Sequence, residues 1–531
     1  MAKRQDELAA YTFARKRTVA AFLAPSPGGS EEGAPRPIRT VMPSLALGVV
    51  LVIGFIAWGV IKPAAPKGWD TPGEYVIVDS DSTTRYVVLD PDPKDGEVEK
   101  VLHPVLNYAS AKLLLDKGKG KVIEVPGKEI DKSGIRHGAT IGIPYAPDRL
   151  PSKDDAQKPK SWAVCERPAP GSVDAIDRAV FVLNDADAKS LDGTGKVGAG
   201  EVLYVEDRTT GQEFLVDGAG GLFQLGDVSR LDKTTMAQLR SAVIGSRAEP
   251  QPVSKEWLLT LNPGEAILFP KVPSNGRPTS VKGLPEEAST VGRVLEAEDA
   301  QGTQYYVVLE DKVADVTSFV AALLMRSPAA QQAYGSARPI APVPVNGQQI
   351  IAANNGQAEA FYADKGWPQI VPSQANAGAA ATGGDRMTSC SVYKGTIGSD
   401  RKPRLASWAG KSYPRSAVAD SQSAFVSSGS GLLFQEVSGT AEGGGGFYLL
   451  TDTGLRYSLP SNNDSEADKT VNSPSRAGDA PTGEANETDK ARTRLGYEDL
   501  TTPVIVPQSW AAFISKGPTL DTGSAAQPQG Q

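Results

Sequence analysis

The longest apolar run in the chain lies at 41–61, where Leu45, Leu47, Val49, Val50, Leu51, Val52, Ile53, Phe55, Ile56 and Trp58 recur without one charged residue. At 1.5 Å rise per residue that length crosses roughly 30 Å of hydrocarbon, so the pattern predicts a transmembrane helix. Pro43 falls in its first turn, where a missing N–H costs little. A secretory signal is the rival reading, but the run and the tail before it are too long and no small-residue cleavage pattern follows.

Lys3, Arg4, Arg15, Lys16, Arg17, Arg36 and Arg39 precede the run, whereas only Lys62 and Lys67 follow closely. By the positive-inside rule residues 1–40 are expected in the cytoplasm and 62–531 outside it. Within the tail, Leu8, Tyr11, Ala14, Val19, Phe22 and Leu23 recur at near-helical spacing with Arg15, Lys16 and Arg17 between them. The expectation is an amphipathic helix that docks on a cytoplasmic partner through Leu8, Tyr11, Arg15, Lys16, Arg17 and Phe22. Contact with anionic lipid is the other reading of the same basic residues.

Beyond the span the period changes to that of short strands and tight polar turns. Residues 85–89 lead to 101–106 and a helix at 109–115; 201–205 turns at Thr210-Gly211 and returns as 213–216; 304–309 meets 312–316; 446–450 turns at Asp452-Thr453-Gly454 and returns as 455–459. Four such units predict an internal repeat. A second echo joins Pro252-Val253-Ser254-Lys255-Glu256-Trp257 to Val506-Pro507-Gln508-Ser509-Trp510, each placed after a strand unit and a glycine, Gly245 or Gly496. Segments 152–160, 373–384, 462–490 and 522–531 are charged, small or polar and are expected to be weakly structured.

A formal charge of −7 excludes a basic nucleic-acid surface. Gly 55 and Pro 40 favour turn-rich short strands over long packed helices. The only cysteines are Cys165 and Cys390, and their export would favour one disulfide over two buried thiols. The only histidines, His103 and His137, have no neighbour at metal-ligand spacing and no serine elbow. Gly193-Thr194-Gly195-Lys196-Val197 is a fragment of a phosphate loop that lacks the upstream glycine and the hydroxyl after lysine, and Gly118-Lys119-Gly120-Lys121 is no better. The residues therefore predict no enzyme, no metal and no cofactor.

Several blocks in order resemble EccB, the single-span membrane component of actinobacterial type VII (ESX) secretion systems. They are the basic helix before the span, Leu102-His103-Pro104-Val105-Leu106-Asn107, Gly142-Ile143-Pro144, Ser161-Trp162-Ala163-Val164-Cys165, Pro252-Val253-Ser254, Val291-Gly292, Ser389-Cys390, Leu495-Gly496-Tyr497 and Gly517-Pro518. The resemblance implies a single-pass protein whose exported part is α+β, β-rich and elongated, with four small repeat domains around a central one that holds the cysteine bridge. On that pattern the repeats are expected near 80–150, 195–265, 285–330 and 430–460. The central domain is expected from 161–185, 335–430 and 494–520, with a flexible loop at 462–490. It further implies a structural core subunit in the cytoplasmic membrane that self-associates outside it. Its partners would be the FtsK-like ATPase EccC, the channel subunit EccD, in some systems EccE, and the mycosin protease. The alternative is a membrane-anchored peptidoglycan binder using clefts at Tyr86, Tyr305, Tyr306, Tyr448 and Tyr457.

Overall fold

A computed structural model of the chain describes residues 4–23, 38–61, 65–91, 99–169, 175–300, 302–337, 339–354, 359–378, 385–416, 424–438, 445–460, 487–500 and 502–529. The chain divides into two compact units, one of Met1–Trp69, Asp79–Ser82 and Ile123–Gly134, the other of Asp70–Val78, Thr83–Val122 and Ile135–Gln531.

The smaller unit contains the helices Arg4–Leu23 and Ile38–Ile61. Asp6 and Glu7 sit in the first turn of the former, where carboxylates oppose the positive helix end. Among the described residues no helix is long and apolar enough to cross a membrane. The expected crossing at 41–61 is helical throughout, but its side chains at 56–61 lie outside the described residues. In the same unit Asp79 accepts from the Ser82 hydroxyl at 2.6 Å and the Asp81 amide at 2.9 Å, and these bonds hold its carboxyl below the usual range. Asp81 in turn accepts from the Gly127 amide at the start of the helix Gly127–Lys132.

The larger unit is built from β-meanders that repeat one plan. In the second repeat, Glu201–Asp207, Glu213–Asp217 and Gly221–Gln224 are antiparallel neighbours. The helix Lys233–Val243 then carries the chain back so that Gln251–Val253 lies parallel to the first strand. A short helix, Lys255–Leu258, leads to Asn262–Pro263, parallel to the third strand. Only a crossover can join parallel neighbours, which is why the helices fall where they do.

The fourth repeat copies this order: Leu432–Val437, Phe447–Leu450, Leu455–Leu459, the helix Glu487–Leu495, Val504–Pro507, the helix Gln508–Ala511 and Ser515–Lys516. The third does so with Val294–Asp299, Gly302–Val308, Val313–Val316, the helix Ser318–Arg326, Val343–Pro344 and the helix Gly347–Asn354, closing on a parallel bridge from Asp315 to Ala360. In the first repeat Arg85–Leu89 and Val101–Pro104 are antiparallel, the helix Tyr108–Leu114 follows, and Arg136–His137 closes parallel to Val101–Pro104.

A fifth sheet has the order Pro403–Gly410, Thr388–Ile397, Ser161–Pro168, Ile176–Leu183, Phe425–Val426. The second and fourth repeats both bury a face on it, in one core containing Trp162, Leu203, Trp257, Tyr393, Phe434 and Trp510. On their other sides the first helices pair off. Lys233–Val243 packs on Ser318–Arg326 of the third repeat, and Glu487–Leu495 packs on Tyr108–Leu114 of the first.

Several expectations are corrected. Residues 494–520 belong to the fourth repeat, because Val504–Pro507 and Ser515–Lys516 hydrogen-bond to its own strands. Much of 335–378 belongs to the third repeat, and Ser373–Gln374 adds to the second, so only 388–426 of the expected 335–430 lies in the central sheet. The segment 152–160 is not a loose linker, since Asp155 caps Ser430 and Gly431 and pairs with the buried Lys160. Of the expected loop 462–490, residues 462–486 lie outside the described residues and 487–490 open a helix whose Glu487 accepts from Thr522. The segment 522–531 also carries structure: Thr522–Ala525 is a helical turn capped by Asp521, and Pro528 bridges to Ile141.

Candidate functional site

The residues that might have done chemistry are committed to structure. The His103 ring nitrogen Nδ1 lies 2.9 Å from the Ala139 carbonyl, and a Cβ on Gly138 would meet the same ring. His137 stands edge-on to Tyr86 at 6.2 Å. Among the described residues no group of His, Cys, Asp and Glu could hold a metal ion.

A phosphate loop works through free backbone amides that converge on the anion. In the 193–197 segment two amides are committed within the protein: Lys196 donates to Gly193 O at 3.1 Å and Val197 to Ser407 O at 3.0 Å. Gly195 is small because the Trp408 indole lies where a side chain would go, with a Cβ meeting it at 2.2 Å. Its carbonyl accepts from the Ala409 amide and from Arg386. The glycines thus seat the chain against the central sheet. At 118–121, Lys119 N turns back to Asp116 O and Gly120 N donates to Glu74 O.

What the fold does build is a rigid junction around the central sheet. Cys165 and Cys390 are register partners on adjacent antiparallel strands, joined as a disulfide with both residues fully buried. One residue on, Glu166 is also fully buried and accepts from Arg178 Nε at 2.7 Å, Ser254 N at 2.8 Å and Ser254 Oγ at 2.7 Å. Ser254 is the cap of the helix that carries Trp257, whose Nε1 donates to Val164 O at 2.9 Å.

The polar chain continues. Gln251 donates to Glu166 O and accepts from Ser389 Oγ and Asn376 Nδ2, and Asn376 bonds both backbone groups of Tyr204. Tyr204 donates to Glu213, which pairs with Arg240, and burial together with Glu213 pushes the Tyr204 phenol far above its ordinary value. Buried polar groups stabilise only when their partners are all present, so this chain fixes one orientation of the second repeat on the centre.

The fourth repeat docks with fewer polar contacts. Trp510 packs at a tilt on Tyr393, with ring centroids 5.6 Å apart; the Tyr393 hydroxyl donates to Ile505 O at 2.6 Å, and Phe434 meets Trp162 edge-on at 5.9 Å. Burial pushes the Tyr393 phenol up as well.

The six proposed docking residues all lie on the helix Arg4–Leu23 and are exposed, Leu8 at 70%, Tyr11 at 72% and Phe22 at 90%. Leu8, Tyr11, Arg15 and Phe22 share one helical face by spacing, whereas Lys16 and Arg17 project elsewhere. The tyrosines named for glycan binding are dispersed among repeats. Tyr457 is buried, Tyr448 stacks on Phe434, and Tyr305 and Tyr306 edge two different cores.

One signal went unread in the sequence, and a second, the glycines Gly245 and Gly496, was read in only two of the repeats. Each meander starts just after a glycine, Gly73 ahead of the strand Tyr75–Asp79, then Gly200, Gly292 and Gly431, the first three glycines at positive φ. Each first helix is followed by another, Gly120, Gly245, Gly335 and Gly496, all at positive φ where a side chain would be strained.

The fold of this chain is shared with solved chains of ESX secretion complexes. The chain overlays a chain of an intact ESX-5 inner membrane complex with TM-score 0.57 at 20% identity, covering 100% of this chain and 96% of that one. A structure of an EccB3 dimer from the ESX-3 core complex gives 0.57 at 21% identity, over 85% and 99% of the two chains.

The family model described as "Type VII secretion system ESX-1, transport TM domain B" matches residues 2–530, and the chain belongs to this family, EccB. Among relatives, the ESX-1 secretion system ATPase EccB1 of Mycobacterium tuberculosis is 29% identical over 314 residues, 58% of each chain. That of Mycolicibacterium smegmatis is 28% identical over 57% of this chain and 56% of its own. These matches span little more than half of the relatives' length.

Proposed function

We propose that the chain is a structural core subunit of a type VII secretion membrane complex, anchored by one crossing at 41–61 and assembling outside the cytoplasm. The observation that carries this reading is the family match over 2–530 together with a shared fold over the whole length of a subunit from an intact inner membrane complex. The crossing is supported by a 24-residue helix, Ile38–Ile61, about 36 Å long at the helical rise and uncharged from Val41 onward. Charge asymmetry supports an N-terminus in the cytoplasm.

On this reading the part after the span comprises four repeat domains, near 70–150, 198–270, 277–360 and 428–529, around the central sheet. The helix Arg4–Leu23 docks on a cytoplasmic or channel partner through Leu8, Tyr11, Arg15 and Phe22, with Lys16 and Arg17 toward lipid headgroups. Partners are an EccC-type ATPase and an EccD-type channel subunit, with EccE-type and mycosin-type subunits in some assemblies.

The role is mechanical and not enzymatic, although relatives carry the word ATPase in their names. Support comes from the incomplete 193–197 motif, which lacks the upstream glycine and the hydroxyl after lysine and whose Lys196 and Val197 amides bond within the protein. Two measurements test the proposal. Tagged full-length protein extracted in mild detergent should retain ATPase and channel subunits, and Tyr11→Asp with Phe22→Asp should release at least one of them. Purified chain freed of those subunits should hydrolyse no ATP above a buffer control. Retention of neither subunit, or hydrolysis that follows the chain, contradicts it.

A further inference from the structure

The first and second repeats end on equivalent backbone. Ile141 forms a parallel bridge with Val105, and Ile267 forms one with Leu225. Ile141 N donates to Pro104 O at 3.0 Å and Ile267 N to Gln224 O at 2.8 Å; Leu106 N donates to Ile141 O and Gly226 N to Ile267 O. A glycine stands three residues before each isoleucine, Gly138 and Gly264, and a proline three after, Pro144 and Pro270.

The outer edges of these two segments differ. Beside Ile141 the edge is filled: Pro528 bridges it antiparallel, Gln529 N donates to Thr140 O at 2.8 Å and Gln529 Nε2 to Gly142 O at 2.7 Å. The turn before that strand buries Leu520 and Ala525 completely, in one core with Ala109, Leu113 and Ile143. Beside Ile267 no strand is added among the described residues, although Trp367 Nε1 donates to Glu265 O at 3.3 Å and Lys271 N to the Tyr362 hydroxyl at 3.1 Å on either side. Among the described residues nothing bonds the backbone of Ala266 or Leu268. Leu268 is 44% exposed and, with Leu231, Phe269, Val272 and Leu324, lines a cavity of about 500 Å³ in which Lys271 is the single charged side chain.

We propose that this edge docks an extended, uncharged peptide segment of a partner polypeptide, which adds a strand beside Ile267 as Pro528 and Gln529 add one beside Ile141. Open strand edges are templates for such addition, with main-chain bonds giving affinity and alternate side chains entering the adjacent pocket. The lining selects apolar or small residues, the composition that fills the equivalent site. The occupant is a different polypeptide, because the described segment of this chain that fills the equivalent site, Pro528–Gln529, is engaged at Ile141. This inference goes beyond a scaffold role by locating one receptor surface and its ligand chemistry.

The test is amide hydrogen exchange on the detergent-solubilised full chain, with a synthetic peptide of the 519–529 sequence as the probe. Excess peptide should slow exchange across 264–270 about tenfold, equivalent to ~1.4 kcal/mol, and Leu268→Asp should abolish the effect while exchange in the central sheet stays unchanged. No slowing at 264–270, or equal slowing in Leu268→Asp, overturns the proposal. Protection present without peptide and lost on dilution would assign the edge to a second copy and overturn it too.

Discussion

Trp257 and Trp510 occupy the same position in the second and fourth repeats, and each is fully buried against one of two adjacent strands of the central sheet. In the third repeat, which does not share that core, the position is held by Ile350. The large indole therefore marks the two repeats that dock on the centre.

Replacing either tryptophan with alanine is expected to cost about 3–5 kcal/mol, the usual penalty for deleting a buried aromatic side chain. Phenylalanine separates the two sites. Trp257→Phe also removes the indole bond to Val164 O, whereas the Trp510 indole N–H has no partner among the described residues, so Trp510→Phe should cost less. Denaturant unfolding of the solubilised chain measures both.

The Cys165–Cys390 bond closes a loop with sequence separation 225. Chain-entropy reasoning gives about 5 kcal/mol for such a loop as an upper figure. Cys165→Ser with Cys390→Ser should lower the unfolding midpoint, and reductant should lower that of the parent chain while leaving the double variant unmoved.

How much of this was legible in the sequence depends on the range of the interaction. Strands 201–205, 213–216 and 455–459 and the turn at Asp452-Thr453-Gly454 follow from alternation and turn chemistry, which are local. The echo between 252–257 and 506–510 was legible too, because tryptophan is rare and both copies kept it. The matching helix at Ile350 was not, since isoleucine in an eight-residue helix has no distinctive pattern. Assignment of 494–520 failed because parallel closing strands of two to four residues are fixed by partners far away in sequence. The 522–529 segment looked structureless because its buried residues are an alanine and small neighbours, whose burial depends on the first repeat. The network from Glu166 to Arg240 joins residues from five separate stretches, and no spacing rule reaches that far.

Asp155 supplies a pH-dependent contribution. Against the opposing effect of burial, bonds from Lys160, the Gly431 amide and Ser430 hold its carboxyl below the ordinary value of 3.8. A depressed folded value means the contribution is complete above about pH 4 and is lost as pH falls through the folded value. Asp155→Ala should cost about 3 kcal/mol at neutral pH, because Lys160, only 4% exposed, loses its carboxylate. The difference between parent and variant should shrink below pH 4 in acid unfolding.

Gly195→Ala tests the structural reading of the 193–197 glycines. The added methyl meets Trp408 at 2.2 Å, and such overpacking costs about 1–3 kcal/mol. Stability should fall, while a fluorescent nucleotide analogue should bind neither parent nor variant.

The central claim is that the chain works as a built-in member of a membrane assembly. Native-size analysis of the full-length protein, extracted in mild detergent from its own cells, tests it most directly. The account predicts one large species containing several copies together with other inner-membrane subunits; migration only as a free monomer, under conditions that preserve such assemblies, would contradict it.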